Sequence, residues 1–101
     1  MIIYNISIKI NAAIEKDWVL WQKQEHIPDI MASGLFSDYK FCKLLEQEDE
    51  DAVTYIVQYF APSIENYKLY IENFAPDLRQ KAFDKWGDQF IAFRSVMEIV
   101  S

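Results

Sequence analysis

A chain of 101 residues has the length of one compact domain and is too short for two separate cores. Apolar residues make up 51% and charged residues 26%, with two Gly and three Pro, which excludes the disordered and collagen-like classes. Sixteen acids against ten bases leave a net charge of −6, which repels nucleic-acid phosphates and anionic membranes, so neither is an expected partner.

Ile2–Ile10 alternates, with Ile2, Tyr4, Ile6, Ile8 and Ile10 on one face and Ile3, Asn5, Ser7 and Lys9 on the other, and reads as a strand. Asn11 can cap a following helix, with Glu15 complementing its positive end, and this helix is expected to run to about Ala32. Ile14, Trp18, Trp21 and Glu25 form one stripe and Leu20, Ile27 and Met31 a second, both expected to face protein. Pro28 has no amide hydrogen, which predicts a kink near His26–Ile27, and Gly34 stops the helix. Phe36–Leu45 alternates as a second strand, Glu46–Asp51 is a polar hairpin loop, and Ala52–Phe60 is a third strand. Pro62-Ser63 opens a helix with Ile64, Tyr67, Ile71 and Phe74 on one stripe. Pro76 restarts it, and Leu78, Ala82 and Trp86 carry the stripe to Gly87. Gln89–Val100 reads as a last strand, with Ile91, Phe93, Met97 and Ile99 on one face and Phe90, Ala92, Arg94, Val96 and Val100 on the other.

The order βαββαβ is the ferredoxin-like α+β arrangement, a four-stranded antiparallel sheet with both helices on one face, expected here as a single domain over residues 1–101. Its second sheet face has no helix to cover it, yet the first, third and last strands carry large apolar residues on both faces. A homodimer packed through the sheet faces is therefore expected. Cys42 is the lone cysteine, and neither a signal-peptide pattern nor an apolar run of membrane-spanning length stands in the chain, so a soluble, cytoplasmic protein is expected.

Trp21, His26-x-Pro28, Gly34 and Tyr39 on the following strand resemble the EthD-like branch of the dimeric α/β-barrel superfamily, which also holds the antibiotic-biosynthesis-monooxygenase-like proteins. The whole chain is also similar to a small bacterial family known as a domain of unknown function. Its landmarks are Trp18-Val19-Leu20-Trp21, His26-Ile27-Pro28, Ala61-Pro62-Ser63, Ala75-Pro76-x-Leu78-Arg79 and Phe93-Arg94. Trp21 and His26 stand five apart where the EthD-like pattern has four, so on a regular helix they need not share a face. The resemblance implies a homodimer whose two sheets join into a barrel, with a pocket in each subunit between sheet and helices. Members of the superfamily include cofactor-free oxygenases, isomerases and haem-binding enzymes, so the fold does not choose a chemistry.

His26 is the only histidine and can act as general acid or base if the helix break turns it into a pocket; otherwise it bonds to free carbonyls at the break or lies on the surface. One His and one Cys cannot build a typical zinc site, and no nucleophile elbow is present. The acidic run lacks the ligand pattern of an EF-hand. Haem has His26 as its one conceivable axial ligand and no attachment motif, so neither metal nor cofactor is expected. Trp18, Trp21, Tyr39, Tyr55, Tyr59, Phe93 and Trp86 can stack a flat aromatic or polyketide-like molecule, with tyrosine hydroxyls and Asn5 giving directional contacts, or they can simply pack the core and interface; of these, Trp18, Trp21 and Tyr39 are expected to shape the pocket. Arg94 alternates with apolar residues and needs a carboxylate: Glu98 or Glu25 in a structural pair, otherwise an anionic ligand. Two functions follow: a homodimer that binds a small apolar or aromatic molecule, with cofactor-independent oxygenase or isomerase chemistry at His26, or a non-catalytic dimeric module.

Overall fold

The computed structural model describes residues 1–47 and 49–101. Its strands are β1 (Ile2–Asn11), β2 (Asp38–Lys43), β3 (Ala52–Ala61) and β4 (Phe90–Glu98), in the antiparallel order β2-β3-β1-β4. The helices are α1 (Glu15–Trp21), α2 (Ile27–Met31), α3 (Ile64–Asn73) and α4 (Ala75–Trp86). This is the ferredoxin-like fold.

β1 is central, pairing with β3 along one edge and β4 along the other. Its alternation places Ile2, Tyr4, Ile6, Ile8 and Ile10 in the core, where Val57, Tyr59 and Ala61 of β3 join them from the same face. Burying an isoleucine of this kind contributes roughly 1.5–3 kcal/mol. Asn11 ends the strand and accepts from the Ala13 amide at 3.0 Å, capping a single 3-10 turn at Ala12–Ile14 before α1. Ser63 caps α3 in the same manner, accepting from the Asn66 amide at 3.2 Å.

The first helical region departs from a regular helix. Between α1 and α2, Gln22–His26 form a π-helical turn in which the Ile27 amide donates to the Gln22 carbonyl five residues back. Pro28 follows at once; it has no hydrogen for the Gln24 carbonyl, and its ring would crowd that carbonyl in a regular helix, so the chain widens just before it. The expected break is thus a wide turn. It also shifts the buried face that follows: Glu25, expected against protein, is exposed and His26 is half-buried; within α1, Leu20 is exposed, also against expectation, and Gln22 behind Trp18 is buried.

Two strand ends differ from expectation. β2 starts only at Asp38, because Phe36 turns inward onto Tyr4 and Tyr70 instead of continuing the ladder. β4 ends at Glu98, short of Val100, although the Ile99 amide still donates to the Met1 carbonyl at 2.9 Å. The polar loop 46–51 includes Glu48, which lies outside the described residues; beside it Lys9 pairs with Asp49 at 3.2 Å.

On the sheet face turned away from the helices, Ile3, Ile56, Phe60, Ile91, Phe93 and Met97 surround a hydrogen bond from Gln58 Nε2 to Asn5 Oδ1. Phe93 is 67% exposed and Ile91 58%. No helix among the described residues is long and apolar enough to cross a membrane. Gly87 closes α4 with φ 59° and ψ −129°, a backbone conformation almost reserved for glycine. Gly87→Ala is expected to lower stability by about 1–3 kcal/mol through backbone strain alone, since its Cβ meets no neighbour within 4 Å. Urea denaturation checks this, and an unchanged midpoint would contradict it.

Candidate functional site

The helix-facing side of the sheet and the first helical region enclose a cavity of about 50 Å³. Ile6 and Ile8 of β1, Val57 and Tyr59 of β3, and Phe90, Ala92 and Arg94 of β4 form its floor. Trp18, Trp21, Gln22 and His26 close one side, and Arg79, Ala82 and Trp86 of α4 the other. A water needs roughly 10–15 Å³ of such space, so the interior holds several waters or the head of a small molecule.

The wide turn determines what this wall presents. On a regular helix, residues five apart diverge, but the π turn returns His26 above Trp21, and the two rings stack with centroids 4.6 Å apart at 20°. The expectation that Trp21 and His26 need not share a face is corrected by this extra residue per turn. Trp86 meets Trp21 edge-on at 5.8 Å and 75°. The stacked Trp21–His26 pair also lines an outer groove of about 350 Å³ with Gln24, Glu25, Asp29, Lys81 and Lys85, so two rings separate the interior from this groove.

Burial pushes the His26 imidazole from the ordinary 6.5 down to about 4; nearby Asp29 opposes this, and the positive charges of Arg94 and Lys81 add to it. At neutral pH the ring is therefore uncharged, with one nitrogen free to accept a proton. Among the described residues, no carboxylate lies within ion-pair distance of Arg94, so neither Glu98 nor Glu25 serves as its expected structural partner. Arg79 donates through Nη2 to the Tyr4 hydroxyl at 3.0 Å.

Of the residues expected to carry the site, Trp18, Trp21, His26 and Arg94 meet here, and the stacking candidates Tyr59 and Trp86 join them. Tyr39 does not. It lies on the edge strand β2, 43% exposed, with its ring 6.5 Å from Tyr59 on the side away from the cavity lining. Asn5 points to the opposite sheet face. Gln22 also belongs to the site. Gln22 Oε1 and Trp86 Nε1 are buried with no hydrogen-bond partner among the described residues, and both side chains line the cavity. Leaving a buried acceptor or donor unpaired costs about 1–3 kcal/mol. Trp86 was among the aromatic stacking candidates of the sequence; Gln22 lies four residues after Trp18 on the same helix face, but a single glutamine on that stripe carries no signal of a ligand.

A four-stranded antiparallel sheet with helices on one face and a pocket between the layers defines a ferredoxin-like protein. The chain matches the family described as domain of unknown function DUF4286 over residues 1–100, and it belongs to that family. No curated protein matches it. Many solved structures share its fold, three of them as follows. One is a variant of MhuD with two manganese protoporphyrin IX molecules per active site (TM-score 0.71, 14% identity, covering 100% of this chain and 96% of that one). Another is an ethyl tert-butyl ether D (EthD) family protein from Bacillus halodurans C-125 (TM-score 0.67, 10% identity, 98% and 100%). The third is a variant of SnoaB, a cofactor-independent oxygenase from Streptomyces nogalater (TM-score 0.59, 9% identity, 99% and 94%). At these identities the likeness is one of fold.

The depressed His26 basicity has a pH consequence. Above pH 6.5 the ring is neutral in both folded and unfolded chains; as pH falls from 6.5 towards 4, only the unfolded chain takes the proton, so stability is lost over that window. Urea midpoints at pH 7.5, 6.0 and 5.0 should fall more steeply for the natural protein than for His26→Gln, because carboxylate titration is common to both. Identical slopes would contradict the buried, neutral imidazole.

Proposed function

We propose that this protein is a homodimer that binds a small, largely aromatic molecule in the cavity between sheet and helices, with proton transfer at His26 as its chemistry. The carrying observation is that this one enclosed space gathers Trp18, Trp21, His26 and an Arg94 without a carboxylate partner among the described residues. A purely structural module would call for a filled interior, an exposed His26 and a paired Arg94; the geometry supports the binding reading on all three counts.

In this reading Trp18 and Trp21 hold the ring of the ligand, and Arg94 orients it through a negative group. His26, neutral and fixed by stacking on Trp21, accepts a proton from an acidic C–H or O–H of the substrate. An isomerase returns that proton elsewhere on the same molecule; a cofactor-independent oxygenase passes the resulting carbanion to dioxygen. The SnoaB likeness lends the oxygenase version support at the level of fold. Haem takes no part in the reading, which uses His26, stacked on Trp21, as a proton acceptor and not as an axial ligand.

Assignment of the cavity is tested by ¹H–¹⁵N spectra of the protein titrated with indole as a neutral aromatic probe. Shifts are expected at the backbone amides of Trp18, Trp21, Gln22 and Ala82 and at the Trp86 indole N–H. A titration that leaves these resonances in place would remove the binding reading.

The dimer is supported by the apolar sheet face. Ile91, Phe93 and Met97 there are 58%, 67% and 40% exposed, a patch that a single copy leaves in water. Sedimentation equilibrium at micromolar concentration is expected to give twice the chain mass of 12.0 kDa, and Phe93→Asp is expected to bring it to one chain while the indole shifts persist. A single-chain mass for the natural protein would count against the paired sheets.

A further inference from the structure

The cavity holds two polar atoms that the protein leaves without partners. Gln22 is 3% exposed and Trp86 8%, and the Gln22 Oε1 acceptor and the Trp86 Nε1 donor find no hydrogen bond among the described residues. Folding has placed both against a space that they line together, one from the end of α1 and the other from the end of α4. Buried amides and indoles ordinarily find partners inside the protein or in an enclosed water. A group that gives a proton to one and accepts a proton from the other is, in the first instance, a hydroxyl.

The remaining lining defines the rest of the molecule. Trp18 and Trp21 are 1% and 9% exposed and offer aromatic faces beside Ile6 and Ile8. Arg94 lines the same space, its residue exposed on the edge strand β4 and its guanidinium without a carboxylate among the described residues, which places positive charge at the mouth. The enclosed volume of about 50 Å³ takes the hydroxyl end of a ring, and the other end reaches the arginine.

Resting on the binding reading above, we infer that the ligand is a small hydroxylated aromatic anion. Its hydroxyl end satisfies Gln22 Oε1 and Trp86 Nε1, its ring lies against Trp18 and Trp21, and its carboxylate meets Arg94. The occupants that compete with this assignment are a neutral aromatic molecule and ordered water.

The test is calorimetric titration of the full chain at pH 7 with 2-, 3- and 4-hydroxybenzoate, beside phenol, benzoate and methyl 4-hydroxybenzoate. At least one hydroxybenzoate isomer is expected to bind about tenfold or more tightly than both phenol and benzoate. Gln22→Met should erase the advantage over benzoate, and Arg94→Met the advantage over phenol and the ester. Gln22→Met should also raise the unliganded melting temperature, because an unpaired buried acceptor is gone, which separates lost recognition from lost folding. Trp86→Phe keeps the ring, removes the N–H and should weaken the hydroxybenzoates more than benzoate. Equal affinities across the six compounds, or a preference for the neutral ones, would overturn the ligand class while indole binding kept the pocket itself. A crystal grown with the best hydroxybenzoate in which an ordered water alone bridges Gln22 and Trp86 would also overturn it. Absence of binding by all six compounds, with indole leaving the cavity resonances unmoved, would overturn the ligand class and the pocket together.

Discussion

Five side chains at alternate positions of β1 set the terms for every other element. Ile2, Tyr4, Ile6, Ile8 and Ile10 lie on one face of a strand that is paired along both edges, so they can leave water only beneath helices. The two helical regions must therefore lie across this row, and they fill it unequally. At one end Phe36, Tyr59 and Tyr70 pack around the ring of Tyr4, with centroids 6.2, 6.3 and 5.9 Å away, and the layer is closed. At the other end, above Ile6 and Ile8, Trp18, Trp21 and Trp86 arch over the sheet without filling the space below. The aromatic surplus of the sequence thus divides into a packed cluster and a roof.

The roof is shaped by a local conflict. Gln22 already faces inward from the end of α1, four residues after Trp18; Pro28 cannot sit in an undisturbed helix, and the wide turn that accommodates it moves Glu25 out to solvent and returns His26 over Trp21. A feature of backbone chemistry therefore decides which side chains reach the cavity. A buried amide oxygen and indole nitrogen without partners among the described residues reduce stability in the absence of a ligand, a cost that supports the proposed site over a packed core. Sites that bind are where a fold tolerates such costs.

Much of this was legible in the residues. Alternation in Ile2–Ile10 and Ala52–Phe60, the capping residues Asn11 and Ser63, and the paired prolines Pro62 and Pro76 fix the βαββαβ order, because each reports a local property of the backbone. Arg94 was legible as a charge on an apolar strand face. The buried face of the first helical region was not, since a period of 3.6 residues carries the stripe from Trp21 to Glu25, whereas the π turn carries it to His26. Tyr39 followed a pattern of residue types whose three-dimensional partner, the cavity, lies on the other side of β3 from the edge strand. Strand ends also escaped, because Phe36 gains more from the core cluster than from another rung of the ladder.

A high-resolution crystal structure of the protein purified without added ligand tests the central claim most directly, because the claim is that the wide turn builds a recognition site. The account predicts the turn at Gln22–His26 with the Ile27 amide on the Gln22 carbonyl, the Gln22 side chain inside, and non-protein density against Gln22 Oε1 and Trp86 Nε1. A regular helix that carries His26 away from Trp21, or a cavity closed by repacked side chains, would contradict it.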